Sequence, residues 1–82
     1  ARSKISTLEL RLRAALGRNL RLSREEQGLS RESVAKLSGL HESQWQKLEA
    51  GTVGCTLRTL CLVAEALDVT PSDLLKPAKP DE

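Results

Sequence analysis

Residues 29–51 read LSRESVAKLSGLHESQWQKLEAG. This stretch predicts two short helices joined by a tight turn. Ser30 is a candidate N-cap, because a serine oxygen at that position can accept an otherwise unpaired N–H of the first helical turn. Val34, Ala35 and Leu37 are expected to supply the apolar contacts of the first helix, which closes at Ser38. Gly39 provides the turn, and Leu40 should plug the angle between the helices. The second helix is expected from about Glu42 to Ala50, ended by Gly51. Trp45 and Leu48, three apart, share one face of it. Glu42, Ser43, Gln46 and Lys47 fall on the other faces.

The flanking sequence reads as support for this pair. Upstream, Leu8, Leu12, Leu16 and Leu20 recur every four residues, a helical period. Thr7 is a candidate cap, with Glu9 in the first turn, where a carboxylate meets the positive end of the helix dipole. Gly17 weakens the pattern and is a candidate break within it. Gly28 reads as a left-handed stop. Downstream, residues 52–55 form a loop and Thr56 caps a fourth helix. Its expected buried stripe is Leu57, Leu60, Cys61, Ala64 and Leu67, and Asp68 is a residue that tolerates the left-handed turn after a helix. Thr70, Pro71 and Asp73 open a short fifth helix through a capping box with proline at its first position. Leu74 and Leu75 close the core. The expected fold is all-α, a compact bundle of about five short helices. Residues 1–15 read as a basic N-terminal arm or helical extension, its first six residues frayed. Residues 16–75 form the domain, and 76–82 (KPAKPDE) a mobile tail.

Composition narrows the function classes. Eighty-two residues make one small domain. Trp45 is the only aromatic residue, so leucine and alanine must fill the core, which favours helices. No stretch approaches the roughly 18 apolar residues of a membrane span, and no secretory signal follows Arg2 and Lys4. Cys55 and Cys61 lack a metal or redox spacing and read as small buried or half-buried thiols in a reducing cytoplasm. One histidine, no paired acid cluster and no nucleophile motif argue against an enzyme, and no metal or other cofactor is expected. The net charge of +2 hides an asymmetry: residues 1–24 hold seven basic residues and one acid, and the rest six basic and ten acidic. The basic end is either a surface that meets phosphate or a solvated helix face. The first residue is alanine, as expected of a trimmed or processed chain.

With LGRNLRLSREEQGLS, VAKLSGL, KLEAG and TLRTLCLVAEALDVTPSDLL in the same order and spacing, the chain resembles the lambda-repressor/Cro (XRE) family of helix-turn-helix proteins from about residue 16 to residue 75. The resemblance implies sequence-specific binding to double-stranded DNA as a transcription regulator, with the second helix of the pair in the major groove. It also implies a structural salt bridge between Arg24 of the first helix and Glu49, the glutamate before the final glycine of the recognition helix. Ser30 and Arg31 correspond to the family's phosphate contact, where glutamine is common. Arg31 departs from that and adds charge.

The expected base readers are Glu42, Ser43, Gln46 and Lys47, with His41 and Gln44 at the edge. Lys47 can donate to guanine O6 and N7, and Gln46 can pair with adenine. Glu42 either accepts from cytosine or repels phosphate. Four positions depart from the family pattern. His41 stands where a Ser or Thr cap is usual and reads as an exposed loop histidine rather than a pH sensor. Trp45 replaces an aliphatic residue and reads as core rather than as a contact to a base or partner. Arg31 replaces glutamine. Residues 52–55 lack basic side chains.

Leu22 and Leu62 stand at positions usually polar in the family. With the two-fold sites that family binds, they motivate a homodimer. The leucines between residues 8 and 16 are a second candidate surface. A phage repressor, a restriction-modification controller and an antitoxin stay unseparated within the regulator reading. The competing reading is a helix-turn-helix module acting mainly through protein–protein interaction.

Overall fold

The apolar spacing described above folds into five helices: α1 (Thr7–Glu26), α2 (Arg31–Ser38), α3 (Glu42–Ala50), α4 (Leu57–Leu67) and α5 (Pro71–Leu74). The structure, a computed structural model, describes residues 5–77. Within these residues there is no strand. Residues 1–4 and 78–82, which hold most of the expected frayed arm and tail, lie outside the described residues.

The helices are stopped and started by local chemistry. Ser30 Oγ accepts the N–H of Ser33 at 3.0 Å, capping α2 as its sequence position predicts. Gly39 ends α2 in the left-handed conformation, φ 77°, a region that glycine enters without the Cβ clash of other residues. Its N–H and that of Leu40 both return to the Ala35 carbonyl, and this double closure makes the turn tight. Thr56 and Thr70 cap α4 and α5, and Asp68 takes the left-handed position after α4.

α1 departs from expectation twice. Its cap is Ser6, not Thr7, since Ser6 Oγ accepts from the Glu9 N–H at 3.0 Å. It is also one unbroken 20-residue helix running through Gly17. Gly17 is there for packing. A Cβ built on it would sit 2.6 Å from the carbonyl oxygens of both Leu48 and Glu49. The end of α3 therefore rests directly on the α1 backbone.

The core gathers Leu16 and Leu20 of α1, Val34 and Ala35 of α2, Trp45 and Leu48 of α3, Leu60, Val63, Ala64 and Leu67 of α4, and Leu74 of α5. Leu40, half-buried, packs against it in the interhelical angle. Three apolar residues expected inside are outside. Leu37 is 62% exposed, Leu57 is 80% exposed and Cys61 is exposed. The inward stripe of α4 is centred one residue away, and Val63, fully buried, takes the place expected of Cys61. Leu57 is the first helical residue of α4, where no preceding turn of the helix covers it.

Two amides fasten the helix ends. Asn19 Nδ2 donates to the carbonyls of Leu74 and Lys76, each at 2.8 Å. Gln27 Nε2 donates to the Leu67 carbonyl at 2.8 Å. Of these three bonds, those to Leu74 and Leu67 satisfy carbonyls that a helix terminus leaves without an internal partner. The first residue of the expected tail is thereby tied to α1.

Candidate nucleic-acid interface

The candidate interface is centred on α3, which is fixed from behind. Trp45 is fully buried and Leu48 is 3% exposed. The indole N–H of Trp45 donates to Ser38 Oγ at 2.9 Å, while that hydroxyl donates to the Val34 carbonyl at 2.7 Å. Trp45 is thus a core residue whose one polar atom is satisfied, and it is closed off from a base or a partner. Its bond to Ser38 spans the turn and sets the angle between α2 and α3.

The opposite faces of α3 carry Glu42, Ser43, Gln46 and Lys47, all exposed. His41 and Gln44 are exposed as well, but they share a structural task. The His41 N–H donates to Gln44 Oε1 at 3.0 Å. This is the reciprocal half of a capping box, so a glutamine three residues on supports the helix start that an unusual cap residue left in question. The amide oxygen of Gln44 is engaged at the helix terminus, which leaves its NH2 group to face outward chemistry.

Behind the far end of α3 lies a cluster of charge. Arg24 grips Glu49 with two parallel bonds, Nε to Oε2 at 2.7 Å and Nη2 to Oε1 at 3.0 Å, and its Nη1 donates to the Leu29 carbonyl at 3.0 Å. The side chain of Glu49 is 3% exposed and that of Arg24 is 11% exposed. The hydrogen bonds it donates to Glu49, opposed by desolvation, hold the Arg24 guanidinium above its ordinary pKa. Three elements meet in it: α1 through Arg24, the loop before α2 through Leu29, and α3 through Glu49.

Arg31 enters the same cluster. Its Nε donates to Glu49 Oε1 at 3.1 Å, and its side chain is 41% exposed. The residue expected to be an independent surface donor is therefore a second arginine on one carboxylate. Ser30, beside it, spends its oxygen on capping α2.

Beyond α3, Gln44 and Lys47 line a groove with Val53, Thr56 and Thr59. Thr52 Oγ1 donates to the Lys47 carbonyl at 3.3 Å. Residues 52–55 carry no charge of their own, but Arg13 reaches them from α1 and Arg58 follows them in the chain. Arg13 of α1 is paired with Glu9 at 2.7 Å and reaches the Thr52 carbonyl at 3.5 Å. Arg58 is exposed at the second residue of α4. Arg13 is 39 residues from Thr52 in sequence, so no local spacing announces that contact, whereas the adjacency of Arg58 to the loop was open to inspection.

Among the described residues, no group of three or more His, Cys, Asp or Glu side chains is placed to hold a metal ion. No described helix is long and apolar enough to cross a membrane. Cys55 and Cys61 are free thiols and both residues are exposed, not buried or half-buried as expected, while partial desolvation of the Cys55 thiol raises its pKa and disfavours the thiolate.

Comparison with known proteins places this arrangement. A family model described as a helix-turn-helix domain matches residues 15–76. The control protein C.SmaI of Serratia marcescens is 34% identical over 64 residues, covering 78% of this chain and 76% of the relative. The crystal structure of the restriction-modification controller protein C.AhdI from Aeromonas hydrophila superposes with a TM-score of 0.72 at 37% identity, over 76% of this chain and 94% of that one. A hypothetical transcription factor from Neisseria, NHTF, superposes with a TM-score of 0.78 at 32% identity, over 96% and 87% of the respective chains. With a buried two-helix angle, an outward polar face on α3 and these relatives, the chain belongs to the XRE-type helix-turn-helix family of DNA-binding transcription regulators.

Proposed function

We propose that α3 lies in the major groove and reads base edges with Glu42, Ser43, Gln46 and Lys47, while His41 and Gln44 act at its leading edge. The observation that carries this reading is the division of α3. Trp45 and Leu48 are buried, and every residue assigned to base reading is exposed. A helix fits the width of the major groove, and polar side chains on its free face can match donor and acceptor patterns there. Ser30 and Arg31 contact backbone phosphate at the start of α2, where backbone N–H groups and the helix dipole also favour an anion. Such contacts set register rather than sequence.

The protein acts as a homodimer on a two-fold DNA site in the cytoplasm. One copy offers a single short recognition helix and an uncharged loop after it, so a second copy supplies the rest of the site. Leu22 is 38% exposed and Leu8 is 65% exposed, which leaves both candidate surfaces with apolar area for self-association. Leu62 is half-buried and contributes less. Of the regulator classes considered, a controller is favoured, since C.AhdI is a restriction-modification controller and C.SmaI a control protein.

The deciding experiment is selection of binding sites from random duplex DNA. Enrichment of a two-fold sequence is expected. Failure to enrich any sequence would overturn the reading and favour a module that binds protein. Sedimentation at micromolar concentration checks the dimer, and a single 9.0 kDa species would count against it.

A further inference from the structure

We propose that Glu49 is a positioning residue for the phosphate contact: by holding Arg31 through Nε, it presents the two Nη groups of that arginine as a fixed fork for a DNA phosphate. The inference rests on the DNA-binding reading above and goes beyond it by assigning a buried carboxylate a part in the contact.

The geometry is specific. Glu49 receives Arg24 on both oxygens and Arg31 on one, and all three bonds lie between 2.7 and 3.1 Å. Two guanidinium charges face one carboxylate, so the cluster keeps one net positive charge. That charge lies toward Arg31, whose side chain is 41% exposed, against 11% for Arg24. Among the described residues Arg31 has Glu49 as its hydrogen-bond partner through Nε alone. The four N–H groups on its Nη atoms are left for an acceptor outside the protein.

A guanidinium is planar, so fixing Nε and the stem fixes where the Nη fork points. Phosphate is bound best by such a two-pronged donor. An exposed arginine ordinarily loses rotamer freedom when it binds, and here part of that cost is already met in the free protein. Arg31 is also the first helical residue of α2, directly after the Ser30 cap, so the fork opens beside the positive end of the helix. Glu49 belongs to α3 and Arg24 to α1. The same carboxylate that seats the recognition helix thus aims the phosphate contact and ties the two in register.

A lysine cannot reproduce this arrangement. It has one nitrogen, which Glu49 would either hold inward or release as an unguided charge. The test compares wild type, Arg31→Ala and Arg31→Lys for binding to one mixed-sequence DNA duplex, a probe that reads backbone contacts without knowledge of the operator. Affinity is measured between about 50 and 200 mM salt, and thermal unfolding of each variant is recorded alongside. Arg31→Ala should lose affinity on the order of tenfold and flatten the salt slope by about one unit. Arg31→Lys should stay closer to the alanine variant than to wild type in both readouts, although it retains the charge. A lysine variant closer to wild type would overturn the positioning role and leave the phosphate contact standing. An alanine variant that binds as wild type would overturn the contact itself, and the positioning role with it. Replacing Glu49 directly is the less clean variant, because it also breaks the bridge to Arg24.

Discussion

The α-carbon of Gly17 sits so close to the Glu49 carbonyl that a methyl group there would lie 2.6 Å from the oxygen, with the Leu48 carbonyl at the same distance. Neither atom is the end of a flexible side chain. In a free helix, alanine is favoured over glycine by about 1 kcal/mol. At residue 17 that preference should be reversed. Gly17→Ala is expected to destabilise the fold by about 1–3 kcal/mol, because α3 must lift from α1 to admit the methyl group. Urea unfolding measures this directly. A variant as stable as wild type would mean that the α1–α3 crossing is looser than described.

The buried bridge makes a different prediction. Glu49→Ala leaves the Arg24 guanidinium in a site with little solvent and only the Leu29 carbonyl as a partner. The expected loss is about 3–5 kcal/mol, well above that of an exposed ion pair. Replacing both partners, Arg24→Met with Glu49→Leu, should recover much of it, because no charge is then stranded. The recovery should appear in stability and not in DNA binding, since the cluster that receives Arg31 is gone. If the double variant is no more stable than Glu49→Ala alone, stranded charge is not the cause of the loss.

Much of this was legible in the sequence, for reasons that can be traced to residues. Ser30, Gly39 and Thr56 act on their immediate neighbours, so position alone reveals them. Arg24 and Glu49 were identified through the family resemblance, not through spacing, since 25 residues separate them. The same distance problem hid Arg31. Its place at the start of α2 was evident, but its bond to Glu49 needs α2 and α3 folded together. Gly17 shows the opposite failure. Its sequence context shows only a helical residue of poor propensity, while the cause of its presence lies in an atom 32 residues away. Leu57 and Cys61 lie outside the core because apolar residues occur on both faces of α4, where Leu57 is exposed and Leu60 and Leu67 are buried, so its inward direction stays undetermined until Val63 is seen in the core.

Trp45 and Ser38 offer a test of the turn. The sole tryptophan is fully buried, so its emission should be blue-shifted and shielded from aqueous quenchers until unfolding. Ser38→Ala removes the acceptor for the indole N–H and should cost about 1–3 kcal/mol, the price of an unpaired buried donor. Trp45→Phe removes the donor but also leaves space. The double variant should therefore cost less than the two single losses added together, a coupling that equilibrium unfolding can resolve. Strict additivity would show that the 2.9 Å contact contributes nothing to holding α2 and α3 at their angle.

Asp73 gives the fold a dependence on acidity. Its carboxylate accepts from the Thr70 N–H at 3.3 Å and pairs with Lys76 at 3.0 Å. Hydrogen bonding to Thr70, and then to Lys76, holds its pKa below the ordinary carboxylate value. A group depressed in the folded state stabilises that state above its unfolded pKa, about 3.9 for aspartate. The contribution is lost as pH falls through the folded value, lower still. Wild type should accordingly exceed Asp73→Asn in stability at neutral pH, and the gap should close below about pH 4. A gap that stays constant down to the acid limit would remove Asp73 from the docking of α5.

On the proposed reading, variants of Lys47 and Arg31 should separate base reading from backbone contact. Lys47 is exposed on α3 and its carbonyl helps close the helix end, so its side chain is free to be removed without disturbing the fold. Lys47→Ala should unfold at the same temperature as wild type. On the duplex obtained by site selection it should lose about 1–3 kcal/mol of affinity and relax preference at one base position. On mixed-sequence duplex its loss should be small. Arg31→Ala should weaken binding to both duplexes by a similar factor, because phosphate is present in every sequence. The discriminating quantity is therefore the ratio of selected to mixed-sequence affinity, which Lys47→Ala should reduce and Arg31→Ala should preserve. If Lys47→Ala preserves that ratio, Lys47 does not read a base, and the reading face of α3 has to be centred on Ser43 and Gln46.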